Sequence, residues 1–142
     1  MQRSAMRELA FQLIYGIEIQ KEIPEDVLQL FFENNNVVEE EVQDYLKEIQ
    51  TGIKTHEEEI NELISHNLKK NWSLNRISKI NLSLIKIAIY EMLYLELPYK
   101  IAINEVVELA KKYADDSAPV FINGILASVV KEKNLNGETN EN

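Results

Sequence analysis

None of the 142 residues is cysteine, which excludes disulfide staples, thiolate metal sites and cysteine nucleophiles, and suits a reducing compartment such as the cytoplasm. Glycine (4) and proline (3) are scarce. A fold of many short strands needs more of both at its turns, so the composition points to long helices. No glycine-rich phosphate loop is present, and neither a GxSxG nor an HExxH pattern occurs. The most apolar stretch, residues 80–95, carries Lys86 and Glu91 and falls short of the about 20 apolar residues that a membrane-spanning helix requires. The N-terminal apolar stretch is broken by Gln12 and lacks a cleavage site, so no secretory leader is expected.

What is present is an ordinary globular composition, 45% hydrophobic and 27% charged, of a length that fits one domain. The formal net charge of −9 argues at first against a nucleic-acid partner. Its distribution is uneven. Residues 23–66 hold twelve acidic and two basic side chains, whereas residues 67–114 hold eight basic and four acidic ones. Steering of the whole molecule toward a polyanion is therefore poor, while a local basic patch is available.

Apolar periodicity predicts about seven helices and no strands, an all-α fold. Residues 3–21 place Met6, Ala10, Leu13 and Ile17 on one stripe. Pro24-Glu25-Asp26 opens a short helix with Val27, Leu30 and Phe31 inward, ended by Asn34-Asn35-Asn36. One long helix is expected from about Glu39 to Asn67, with Val42, Leu46, Ile49, Ile53, His56, Ile60 and Leu63 as a heptad-like seam. Gly52 within it costs helix stability and suits close approach of another helix. A short helix at Leu74–Ile80 follows, then a central buried helix from Leu82 to Leu95, stopped by Pro98. Residues 101–114, with an outward Glu108–Lys112 pair, and about 120–133 complete the set. Two packed subdomains, residues 1–67 and 72–133, with a disordered polar tail at 134–142, are the expected organisation.

Candidate chemistry is thin. His56 and His66 are ten residues apart, which is no metal-ligand spacing, and consecutive carboxylates at 39–41 and 57–59 point in different directions on a helix. No catalytic residue, metal or cofactor is expected, and the chain is not expected to be an enzyme. The first helix is more informative. Arg7, Phe11 and Tyr15 form a row away from the Leu13 stripe, and Arg3 extends it. Guanidinium groups beside aromatic rings suit single-stranded RNA, with charge for phosphate and flat faces for bases. Periodicity alone leaves a second reading open, in which Phe11 and Tyr15 are buried and the arginines form ion pairs. Lys69, Lys70 and Trp72 form another basic-aromatic cluster, with Trp72 as a core anchor or a stacking platform. Phe121 begins a helix, exposed for recognition or plugging the core, and Asn123-Gly124 after it suggests close backbone packing.

Three stretches together resemble the NusB family of transcription antitermination factors. The first is Arg7-Glu8-Leu9-Ala10-Phe11-Gln12-Leu13-Ile14-Tyr15. The second is Trp72 to Ile77 with Leu84-Ile85-Lys86-Ile87-Ala88-Ile89-Tyr90-Glu91. The third runs from Pro98 through Ala102-Ile103-Asn104-Glu105-Val106 to Lys111, with Phe121-Ile122-Asn123-Gly124-Ile125-Leu126. The resemblance implies a helical factor, without enzymatic activity, that binds the boxA element of ribosomal RNA leaders as a heterodimer with NusE, a small-subunit ribosomal protein. With other Nus factors on RNA polymerase it would then suppress termination. It implies an RNA surface at Arg3, Arg7, Tyr15 and Phe121 with Asp116 nearby, to which the aromatic row adds Phe11. It also implies a NusE contact on the helix bearing Asn81, and in some members a homodimer that covers part of this surface. Two departures stand out: only two arginines lie near the N-terminus, and Asn81 stands where the family often has an acidic residue. The competing reading is a protein-binding helical adaptor that works through the acidic 23–66 segment. An RNA cytosine methyltransferase, some of which carry a NusB-like domain, would need a catalytic cysteine.

Overall fold

The computed structural model describes residues 1–135, which contain seven α-helices and no strand. They are α1 (Arg3–Glu18), α2 (Val27–Asn34), α3 (Glu40–Thr55), α4 (Glu57–His66), α5 (Lys79–Tyr94), α6 (Tyr99–Tyr113) and α7 (Ala118–Glu132). The central element is α5. Every residue from Leu82 to Met92 is buried, because α5 packs against α1, α3, α4, α6 and α7 together. A helix that is apolar on all sides has this one stable place in a soluble fold. Its buried side chains join those of α1, α3, α4, α6 and α7 in one continuous core.

Three helix boundaries depart from the periodicity reading. The long helix expected from Glu39 to Asn67 is broken at His56, which closes α3 and opens α4. Lys54 lies in the last turn of α3, and Glu57, Glu58 and Glu59 lie in the first turn of α4. Each charge has the sign that a helix end at this place favours. The kink also takes His56 out of the apolar seam: its ring stacks on Tyr94, with centroids 3.9 Å apart, and stays partly exposed. The helix expected at Leu74–Ile80 is only a 3-10 turn, Leu74–Arg76. Ser78 stops it and starts α5, its Oγ accepting the Asn81 amide at 3.1 Å, the usual work of an N-cap serine.

In α2 the inward residues are Leu28, Phe31 and Phe32, while Leu30 is exposed. Leu28, Phe31 and Phe32 are spaced i, i+3, i+4 and share a face, and Leu30 falls roughly opposite Leu28 at 100° per residue. Asp115 caps α7, its Oδ1 accepting from the amides of Ser117 and Ala118 at 3.1 Å. Of the expected polar tail, residues 136–142 lie outside the described part. Asn134 and Leu135 belong to the end of α7 instead. Asn134 takes a left-handed φ of 54°, and the Leu135 amide donates to the Val130 carbonyl at 2.9 Å, closing the helix with a Schellman-type turn.

The two glycines of the middle and last helices have opposite surroundings. A Cβ on Gly52 would lie 2.1 Å from the Tyr90 ring, so α3 and α5 approach across a bare backbone. The Tyr90 hydroxyl donates to Glu48 at 2.5 Å, and its pKa is pushed up to about 12 by burial first and then by that hydrogen bond. Gly124, where the sequence suggested close packing, faces open space. Substituting Ala for Gly52 should therefore lower stability by about 1–3 kcal/mol through overpacking. Gly124→Ala should raise it by about 0.5–1 kcal/mol through helix propensity. Urea denaturation of the two variants checks both signs.

Candidate nucleic-acid interface

Helix α1 buries two faces. Met6, Ala10 and Leu13 form the expected stripe, and Arg7, Phe11 and Ile14 are buried as well, because α1 packs against both α3 and α5. The row Arg7–Phe11–Tyr15, which one reading of the sequence turned outward, is therefore mostly internal. The Phe11 ring is enclosed between Tyr15, at 5.8 Å, and Tyr113, at 4.9 Å between centroids. Tyr15 is only half-buried at the margin of the core.

Arg7 is 2% exposed. Its Nε donates to Glu91 Oε1 at 2.7 Å and its Nη2 to Glu91 Oε2 at 3.0 Å, a two-pronged fork, while Nη1 donates to Glu105 Oε1 at 2.8 Å. The Tyr45 hydroxyl adds a hydrogen bond to Glu91 Oε2 at 3.2 Å. Burial alone would lower the pKa of Arg7, but the hydrogen bonds and charge of Glu91 outweigh it and hold the value above normal. Burial raises the pKa of Tyr45, and the neighbouring charge of Glu91 raises it further. At 2% exposure, held by the buried Glu91 and the part-exposed Glu105, this guanidinium is closed off from a phosphate in solvent. Expecting Arg7 and Phe11 at an exposed RNA surface is thus corrected: α1 needs that face to pack. The sequence carried half of this signal: a carboxylate such as Glu91 in a helix buried on all sides requires a cationic partner, but the sequence does not say which.

Arg3 is different. It is exposed, and its guanidinium lies 4.9 Å from the centre of the Tyr45 ring. Between α1 and α6, Glu8 accepts from Lys112 at 2.6 Å and from the Tyr113 hydroxyl, and these hydrogen bonds hold its pKa below the ordinary value. Lys112 therefore bridges to α1, and it is Lys111 that pairs with Glu108, at 2.7 Å, in place of the expected Glu108–Lys112 pair. Asp116 is exposed in the turn before α7, and Phe121 is half-buried on the first turns of that helix, 6.0 Å from Trp72. Asn81, at the start of α5, is partly buried, and its Oδ1 finds no hydrogen-bond donor within the protein. Arg3 with Tyr45, and Phe121 with Trp72 and the Arg76 guanidinium, thus form two groupings of aromatic rings with a cation. The sequence did not single out Tyr45. Among the described residues no group of His, Asp or Glu is arranged to hold a metal ion, and no helix is long and apolar enough to cross a membrane.

The three stretches that carry the resemblance each deliver one charge to the same point: Arg7, Glu91 and Glu105. The profile of the NusB family matches residues 4–131. The chain belongs to the NusB family. The transcription antitermination protein NusB of Clostridium novyi is 41% identical over 92% of this chain and 99% of its own length. Two solved structures share the fold. NusB of T. maritima is 30% identical with a TM-score of 0.84, covering 97% of this chain and 99% of that one. The NusB chain solved with NusE and double-stranded RNA is 26% identical with a TM-score of 0.82, covering 92% and 96%. Membership in this family of transcription antitermination factors agrees with the all-helical architecture built around α5.

Two outcomes follow from the α1 contacts. Arg7→Ala leaves the Glu91 carboxylate buried without its partner and should cost about 3–5 kcal/mol, read as a lowered denaturation midpoint. Glu8→Gln should lower stability near neutral pH by about 1 kcal/mol or less. The folded-state pKa of Glu8 is depressed, so its contribution is present above the unfolded value and is lost as pH falls through the folded one. The gap between Glu8→Gln and the parent protein should therefore close on acidification, measured by thermal melts across an acid pH series.

Proposed function

We propose that this chain is an antitermination factor that binds the boxA element of ribosomal RNA leader transcripts together with the ribosomal protein NusE. With other Nus factors on RNA polymerase it suppresses termination in the cytoplasm. The observation that carries this reading is the match, over nearly the whole chain, to a NusB solved in complex with NusE and double-stranded RNA. The RNA surface comprises Arg3, Tyr15 and Phe121 with Asp116 beside them, and excludes the enclosed Arg7 and Phe11. The NusE contact includes Asn81, which stands partly buried at the start of α5. Some homodimerisation across the RNA surface would make binding depend on protein concentration.

The molecule carries a net charge of −9 and few arginines at its N-terminus, so affinity for RNA alone is low and rises with NusE. The test measures the anisotropy of a labelled boxA RNA with and without NusE over a salt series. Affinity should fall as salt rises, and Tyr15→Ala and Phe121→Ala should each weaken binding by about 1–3 kcal/mol. Absence of RNA binding even with NusE would refute this reading and favour a protein-binding adaptor acting through the acidic 23–66 segment.

A further inference from the structure

We propose that the connector between α4 and α5 is a second RNA contact, in which Trp72 and Phe121 form a stacking platform for unpaired bases and the surrounding cations hold the backbone. This inference rests on the RNA-binding reading above and extends the surface at Phe121 onto the α4–α5 connector, which that reading leaves unused. Charge is the first support. Residues 63–90 contain no aspartate or glutamate, in a chain that has 24 acidic residues. Within that stretch Lys69, Lys70, Arg76 and Lys79 are all exposed, and among the described residues none of them forms an ion pair with a carboxylate. Four uncompensated cations on an acidic protein are a site for a polyanion.

Shape is the second support. Trp72 is 47% exposed, so it is not a core anchor. The Phe121 ring lies 6.0 Å away, inclined by 38°, and the Arg76 guanidinium sits 5.7 Å from the indole centre. Aromatic faces flanked by guanidinium planes stack on bases of any identity. The backbone fixes the platform. Asn71 takes a left-handed φ of 74°, which asparagine tolerates better than most residues. The Trp72 amide then donates to Lys69 at 3.0 Å, and the Arg76 amide to Ser73 at 3.0 Å. Successive tight turns thus present the indole and the lysines together, with little ordering left to do on binding. Single-stranded RNA is favoured over duplex because stacking needs splayed bases.

Trp72 is the only tryptophan of the chain, so its fluorescence reports on this place alone. The full-length protein is titrated with single-stranded boxA RNA, with and without NusE, and the signal is read against the Trp72→Phe variant as background. Trp72 emission should be quenched with the same midpoint as the anisotropy of labelled RNA. Trp72→Ala should weaken binding by about 5- to 100-fold, and Trp72→Phe should stay within about threefold of the parent because it keeps an aromatic face. The double variant Lys69→Gln/Lys70→Gln alters only exposed side chains, so it keeps the fold. It should flatten the log–log salt slope by about 1.4, two phosphate contacts on a single strand. Unchanged RNA affinity in Trp72→Ala together with an unchanged salt slope in the lysine variant overturns the platform while leaving the RNA-binding reading intact. Weakened NusE binding in Trp72→Ala, with normal RNA affinity of the assembled complex, makes the patch a protein interface and also overturns it. If the parent protein binds no RNA even with NusE, both readings fall.

Discussion

Withdrawing the Arg7 guanidinium and the Glu91 carboxylate from water costs several kcal/mol for each ion, and the fold accepts that cost at the place where its helices converge. The fork between them and the bonds from Tyr45 and to Glu105 recover the loss only if α1, α3, α5 and α6 stand in one arrangement. Hydrophobic burial is tolerant of small rotations and slips. A bidentate ion pair in a dry interior is not. The apolar core supplies most of the free energy of folding, and the ion pair ties α1, α3, α5 and α6 together at one point within it. A second buried cation repeats the device at the other end of α1. Lys86 is bonded to Glu18 of α1 at 2.5 Å and lies 3.6 Å from Glu57 at the head of α4.

These two inner ion pairs also explain where recognition can occur. Helix α1 is occupied by packing over both its apolar and its apparently polar rows, so the surface it leaves for a ligand is its N-terminal end at Arg3 and the edge at Tyr15. Recognition must then draw on elements from elsewhere in the chain. In the reading proposed above, the start of α7 and the α4–α5 connector supply them, because Phe121 and Trp72 come together there although about fifty residues separate them in sequence.

Much of this was legible in the residues, for identifiable reasons. The central helix declared itself through the apolar run of α5, and the kind and order of the helices followed from spacing alone. The break at His56 was missed because the seam passes from Ile53 to Ile60 in one heptad, and that spacing is satisfied by a kinked pair as well as by one straight helix. The start of α5 was missed because apolar spacing outweighed Ser78, a capping residue with no apolar signal of its own. Arg7 was misplaced because periodicity assigns an arginine outward by default; only the partner 84 residues away makes its burial tolerable, and a one-dimensional pattern holds no record of that pairing. Trp72 was left open between core anchor and stacking platform for the converse reason. A large aromatic is usually internal, and its exposure is a property of the turns around it.

The segregation of charge along α4 has a consequence of its own. Three carboxylates stand at its head, Glu57 to Glu59, and the lysines of the connector follow its foot; ten helical residues, about 15 Å, lie between. Such a molecule is an electric dipole as well as a net anion. In the non-uniform field of a nucleic-acid strand the net charge is pushed away while the dipole experiences a torque that turns its cationic pole toward the strand. Both effects are screened beyond a Debye length, about 8 Å at physiological salt, so orientation acts in close encounters, where a pole's own charges lie nearer the strand than the rest of the molecule. Collisions would then be fewer than for a basic protein of this size, and a larger share of them would arrive connector first.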